Sequence, residues 1–193
     1  MKIKILLFFI FFFINPHGIA DDKIKPIIEG NINAGVKLIV YESLTCSHCA
    51  NFHKDVYPKL KDEFFDKGLA SIEFRNFPLD IAALNASKLA HCKNDGKANI
   101  LHFLYFKQEE WLKGNTIEEL NSNLKDVIKN ENFGLNFEKC LADKNIEDHI
   151  LEDRIEGAKK FKINATPTII INDEKFEKAL NFKNLKKAIE KLI

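Results

Sequence analysis

Cys46-Ser47-His48-Cys49 is separated by four residues from the β-rich run Val36 to Tyr41 and opens a segment whose apolar residues recur at helical spacing. A strand must therefore stop and a helix begin within a few residues, with two sulfurs one helical turn apart. Such sulfurs can open and close a disulfide without large backbone movement. At a helix start the unsatisfied N–H groups favour negative charge, so the first sulfur is placed to work as a thiolate. The chemistry this suggests is thiol–disulfide exchange, with Cys46 attacking or being attacked and Cys49, one turn deeper, resolving. A helix end contributes typically about 0.3–1 kcal/mol, whereas lowering a thiol pKa by about three requires about 4 kcal/mol. A second contributor is needed, and the imidazole of His48, as hydrogen-bond donor or cation, is the candidate. The competing readings are half of a zinc site and an inert structural disulfide. The first lacks a second closely spaced ligand pair, because Cys92 and Cys140 lie far apart.

Around these cysteines the pattern alternates. Val36 to Tyr41 and Ala70 to Phe77 read as strands, and between them Cys49, Phe52, His53, Val56, Leu60 and Phe64 follow a helical period. Pro58 should kink or divide that helix. Strand, helix, strand is the opening βαβ unit of an α/β fold. From Ile81 helix formers take over, in segments 82–92, 98–108, 117–129, 133–142 and 146–161. A strand from Thr168 to Asn172, an edge-like stretch from Lys175 to Ala179 and a helix from Phe182 to Leu192 complete the chain. The organisation expected is an α/β sheet domain, 21–80 and 155–193, interrupted by a helical insertion, 81–154. Asn164-Ala165-Thr166-Pro167-Thr168 puts a proline at a strand entrance, a place compatible with a cis peptide and with a sheet edge free to pair with another chain.

The N-terminus carries Lys2 and Lys4, the apolar stretch Ile5 to Ile14, and Gly18-Ile19-Ala20 before Asp21-Asp22. This order reads as a secretory signal peptide over residues 1–20. An uncleaved anchor is the alternative, but a span needs roughly 20 apolar residues and Pro16 interrupts this one. Residues 1–20 hold two of the 29 basic residues and none of the 28 acidic ones, leaving 27 against 28, a net charge of −1. That balance argues against a nucleic-acid partner. Four cysteines in an exported chain suit a compartment where disulfides persist. Of the three possible pairings, the two-residue gap favours Cys46 with Cys49 and leaves Cys92 with Cys140 as a structural staple of the insertion. His91, beside Cys92, is a candidate for a ligand pair. His17 falls within the signal, His102 and His149 read as ordinary helix residues, and Trp111 as core or groove surface. No metal and no cofactor is expected.

Leu44 to His53, the segment Phe74 to Asp80 and Ala165-Thr166-Pro167-Thr168 together resemble DsbA-type thiol:disulfide oxidoreductases, in particular the alphaproteobacterial kind. The resemblance implies a thioredoxin fold with a helical insertion and a cis Pro167 facing the Cys46–Cys49 pair. It implies an exported, periplasmic enzyme that donates its disulfide to newly exported polypeptides and is reoxidised by a membrane-bound, DsbB-like partner; the short segment before the first strand favours a monomer. Thr166 and Pro167 would hold the substrate backbone. Two departures stand out. Ser47 occupies a position where many relatives have proline, and Val40 stands where thioredoxin-fold enzymes often bury a carboxylate. Glu42, two residues on and on the same strand face, is the candidate substitute as a proton relay, against its reading as an exposed strand-end glutamate. The rival functions are an isomerase or reductase of the same fold, for which the short segment between Asp21 and Val36 leaves little room for a dimerisation module, and a non-catalytic binding module docking through its helices.

Overall fold

The computed structural model describes residues 23–193. The expected signal segment, residues 1–20, and with it His17, lies outside the described residues.

β2 (Val36–Glu42) and β3 (Ala70–Asn76) form the parallel centre of a five-stranded sheet, Val36 opposite Ala70 and Glu42 opposite Asn76. One face of the pair is apolar, with Val36, Leu38 and Val40 on β2 and Ala70, Ile72 and Phe74 on β3, whereas the other mixes Ile39 and Tyr41 with Lys37, Ser71, Glu73 and Arg75. β1 (Ile27–Gly30) pairs antiparallel with β3, β4 (Thr168–Ile171) antiparallel with β2, and β5 (Glu174–Lys175) with β4. The order β1-β3-β2-β4-β5 thus puts the predicted βαβ unit in the middle. β1 is an addition to the sequence reading, and the expected edge stretch shrinks to two residues.

The β2–β3 crossover is helical throughout but not uniform. α1 (Ser47–Asn51) runs into a π-helical turn (Phe52–Val56), then α2 (Tyr57–Leu60) and a second π turn (Lys61–Phe65). Pro58 lies in the first turn of α2, where its missing N–H costs least, and the division it imposes falls at Val56. The wider π turn lets the consecutive residues Phe52 and His53 both face inward.

α3 (Ile81–His91), α4 (Asn99–Phe106), α5 (Gln108–Trp111), α6 (Ile117–Asn130) and α7 (Phe137–Ala142) follow β3. Their ends carry their own signals: Asp80 caps α3 through the Ala83 N–H at 2.7 Å, and Thr116 with Glu119 forms a capping box on α6. Trp111 is fully buried, with its indole N–H on the Leu104 carbonyl at 2.9 Å. Cys92 and Cys140 are bonded to each other, Cα atoms 5.4 Å apart, tying the end of α3 to α7. A cross-link of this span restricts the unfolded chain by about 4 kcal/mol in the chain-entropy account. α8 (Lys144–Lys160) passes unbroken through the expected junction at 154/155 and packs on both α3 and β3, so helical cluster and sheet share one helix. α9 (Phe182–Glu190) buries Leu185 and Ile189 and packs near α2.

Gly157 on α8 is the point of closest approach to the sheet. A Cβ there would lie 2.7 Å from Cε1 of Tyr41, a fully buried ring whose hydroxyl accepts from Arg75 at 3.1 Å. Alanine gains up to about 1 kcal/mol of helix propensity, while forcing extra volume into packed surroundings costs about 1–3 kcal/mol. Since the ring is held at both ends, the clash wins. Gly157→Ala is expected to lower the urea midpoint by an amount equivalent to about 1–2 kcal/mol, and an unchanged or raised midpoint would contradict this packing account.

Candidate active site

β2 ends at Glu42, and Ser43-Leu44-Thr45 turns the chain into α1, with Cys46 as the extended N-cap residue. The turn is fixed from two sides. Thr45 Oγ1 donates to Asp80 at 2.8 Å, and the Leu79 N–H donates to Ser43 Oγ at 3.3 Å. From the helical cluster, the buried Gln108 amide donates to the carbonyls of Leu44 (2.8 Å) and Cys46 (3.0 Å).

β4 runs antiparallel to β2 with Thr168 opposite Tyr41, so the residues entering β4 lie beside the residues leaving β2. That register brings the cis Thr166–Pro167 peptide against the cysteines, and the Cys46 thiol donates to the Thr166 carbonyl at 3.3 Å. Thr166 Oγ1 is buried and without a partner. His48, Asn51, Phe52, Thr166, Pro167 and Leu180 border an open groove alongside.

The two sulfurs, free thiols in this structure, have opposite electrostatics. Cys46 is lowered from 9.0 to about 5, first by a hydrogen bond from the Cys49 thiol, against partial desolvation, and then by Thr166 and the backbone N–H groups of Cys49 and His48. Cys49 is pushed far up by burial, by its hydrogen bond to Cys46 and by the nearby Glu42. One sulfur carries the charge and the other keeps the proton. The His48 backbone amide is among the groups that stabilise the thiolate, and its imidazole stands exposed on the groove.

Glu42 is buried, 4% exposed, and not the solvent-facing strand end that was its alternative reading. Burial holds its carboxyl well above the usual carboxylate range. Its Oε2 lies 2.7 Å from Nε2 of His53, and the other His53 nitrogen lies 2.8 Å from Nδ1 of His102. His102, read from sequence as an ordinary helix residue, therefore belongs to the buried polar chain behind the cysteines. Tyr105 stacks on His53 with ring centroids 4.0 Å apart. His91 is also buried but pairs with the Asn76 amide at 2.9 Å, and His149 packs edge-on against it. Sequence reasoning passed over Tyr105, Gln108, His102 and Glu29. The one available signal was their polarity or aromaticity within α4, α5 and β1, which says nothing of where those elements dock.

A profile of the thioredoxin family matches residues 22–191. The crystal structure of Wolbachia pipientis alpha-DsbA1 superposes with a TM-score of 0.74 at 30% identity, over 86% of this chain and 90% of that one. The chain belongs to the thioredoxin family, in its DsbA-type branch. Among curated relatives of this thioredoxin-family chain, a putative protein-disulfide oxidoreductase of Rickettsia bellii is 28% identical over 170 residues, covering 86% of the chain and 64% of the relative. Disulfide bond formation protein D of Bacillus subtilis is 27% identical over 184 residues, 90% of the chain and 79% of the relative. The chain thus spans less than two thirds of the Rickettsia protein.

Two measurements test the electrostatics. Absorbance at 240 nm in the reduced protein should titrate Cys46 with a midpoint near pH 5, and Thr166→Val, which keeps the shape but removes the hydroxyl, should move that midpoint upward. A wild-type midpoint in the ordinary thiol range would contradict the site description. Because the folded pKa lies below the ordinary 9.0, the thiolate's contribution to the stability of the reduced form is complete above about pH 9 and is lost as pH falls through about 5. The gap between denaturation midpoints of reduced and oxidised protein should move in that sense across the window, and a pH-independent gap would be the contrary result.

Proposed function

We propose that this chain is a thiol:disulfide oxidoreductase that donates a Cys46–Cys49 disulfide to exported polypeptides. The observation that carries the reading is the opposite treatment of two adjacent sulfurs, Cys46 lowered to about 5 and Cys49 held protonated by burial. Stabilising the Cys46 thiolate stabilises the reduced pair, and this makes the disulfide an oxidant.

A substrate thiolate attacks Cys46 Sγ, forming a mixed disulfide and breaking the bond to Cys49, which leaves with the electron pair and takes up a proton. A second substrate thiolate then attacks its own sulfur in the mixed disulfide and expels Cys46 as the favoured thiolate. The substrate leaves oxidised by two electrons, and the enzyme keeps them as Cys46 thiolate and Cys49 thiol. Thr166 and Pro167 lie against Cys46 at the entrance to β4, suited to hold the substrate backbone alongside. Glu42, buried and electrostatically coupled to both cysteines, is the proposed proton acceptor and donor for Cys49. The Cys92–Cys140 bond is assigned a structural role, away from the exchange.

The same proposal includes export through residues 1–20 to the periplasm, action as a monomer, and reoxidation by a disulfide-bearing membrane partner of the DsbB kind. Among the described residues, no helix is long and apolar enough to cross a membrane. Incubating oxidised protein with a reduced, unfolded two-cysteine substrate should yield oxidised substrate and reduced enzyme, and Cys46→Ala should abolish the transfer. Transfer that survives this substitution would overturn the assignment.

A further inference from the structure

We propose that His53 and His102 form a proton wire that carries the Cys49 proton between Glu42, beneath the active site, and Glu29, at the rim of the sheet. The proposal deepens the exchange reading of Cys46 and Cys49 and rests on it. Two of the wire's links are hydrogen bonds, Glu42 Oε2 to His53 Nε2 at 2.7 Å and His53 Nδ1 to His102 Nδ1 at 2.8 Å; the third, His102 Nε2 to Glu29 Oε2, is a 3.6 Å gap that a small approach of the two side chains closes. His53 is wholly buried, whereas the side chains of His102 and Glu29 are 17% and 22% exposed, so the chain leads from interior to solvent.

Two neutral imidazoles with Nδ1 atoms face to face share a single hydrogen, which couples their tautomers. In one state Glu42 is protonated and donates to His53 Nε2, His53 Nδ1–H donates to His102, and His102 Nε2–H points at the Glu29 carboxylate. In the other every hydrogen has shifted one place, Glu42 is a carboxylate hydrogen-bonded by His53 Nε2–H, and Glu29 carries the proton. Interconversion moves one proton along the whole path while no ring turns. The rings are in fact held. His53 stacks on Tyr105 at 4.0 Å, and His102 stacks on Tyr57 at 4.4 Å. The titratable groups facing the pair are Glu42 from β2, Glu29 from β1, Tyr57 from α2 and Tyr105 from α4, with Lys61 near Glu29. Burial lowers His53 to about 3, so this ring passes a proton on without storing it.

The ends of the path separate a wire from a structural hydrogen-bond chain. Buried polar groups in native proteins are normally paired, yet four of the six side-chain atoms without a partner among the described residues sit at these ends. Glu42 Oε1 and the Tyr105 hydroxyl are unpaired at the inner end, His102 Nε2 and Glu29 Oε2 at the outer. The inner pair lies beside Cys49.

In a mixed disulfide on Cys46, the Cys49 thiol gives its proton to Glu42 Oε1 while Glu42 Oε2–H, His53 Nδ1–H and His102 Nε2–H each move one place outward, leaving the proton on Glu29. The Cys49 thiolate attacks Cys46 Sγ, forming the intramolecular disulfide and breaking the bond to the outer sulfur, which departs with the electron pair. Opening of the disulfide by a substrate thiolate runs the same transfers inward.

The test follows closure of a mixed disulfide formed between reduced protein and oxidised glutathione, by quenched flow. His102→Ala opens a hole to solvent at a partly exposed site, and Glu29→Gln removes the terminal acceptor. Both are expected to slow closure, His102→Ala by about 10²-fold, with added imidazole restoring part of the rate in that variant. The Cys46 titration and the rate of mixed-disulfide formation should stay as in the unmodified chain. Closure at the unmodified rate in either folded variant, or a slowed His102→Ala that imidazole leaves unchanged, overturns the wire. Should His102→Ala not fold, Glu29→Gln decides alone. Failure of Cys46 to form the mixed disulfide at all would instead remove the underlying exchange reading.

Discussion

The organising constraint is the unequal sharing of one proton and one negative charge between two sulfurs at the β2–α1 junction. A hydrogen bond from Cys49, backed by helix-start amides and Thr166, stabilises charge on Cys46, while burial forbids it on Cys49. Such a pair cannot be built by the four residues alone. The amides come from the helix start, the desolvation of Cys49 from the core beneath it, and the Thr166 side chain from a segment 120 residues later in the chain. The sheet order follows from this need: with β4 antiparallel beside β2, the entrance of one strand meets the exit of the other.

The helical cluster between β3 and β4 contributes more than a cover. Gln108 holds the carbonyls on either side of the cysteine turn, Asp80 both caps α3 and accepts from Thr45, and α4 supplies Tyr105 and His102 to the buried polar chain. Burying a carboxylate and two imidazoles without pairing would be costly. Their mutual hydrogen bonds offset that cost and leave unpaired only the ends of the chain, one near Cys49 and one between His102 and Glu29. In the thioredoxin family frame, the carboxylate here sits two residues later than the strand position now filled by Val40, and His53 meets it from the π turn.

Most of the scaffold was legible in the sequence. The strands from Val36 and Ala70 and the helices from Ile117 and Phe182 announce themselves by period and by capping residues close at hand. β1 was not legible, because Ile27–Gly30 is four residues with a single fully buried one and takes its strand form from pairing with β3. The continuity of α8 through residue 154 was equally hidden, since a helix shared by two layers shows no change of pattern where it passes between them. His102 looked ordinary for the same reason. Its neighbours at helical spacing, Ala98, Asn99, Tyr105 and Phe106, include no acidic or basic partner, and nothing local reveals that β1 and the π turn place Glu29 and His53 against it.

By itself the sequence determined the chemistry available: two thiols one turn apart at a strand-to-helix turn, a proline at a later strand entrance, and two further cysteines for a staple. These are local facts, set by spacing of a few residues and by side-chain type. Only the tertiary structure decided which groups act on those thiols. It set the His48 backbone amide on the Cys46 sulfur and the His48 side chain on the groove, it buried Glu42, and it joined Glu42 through His53 to His102. Desolvation and hydrogen bonding depend on what packs within a few ångströms: the cover over Cys49, Thr166 beside Cys46, and His53 and His102 behind Glu42 are set by the packing of separate elements and not by spacing along the chain.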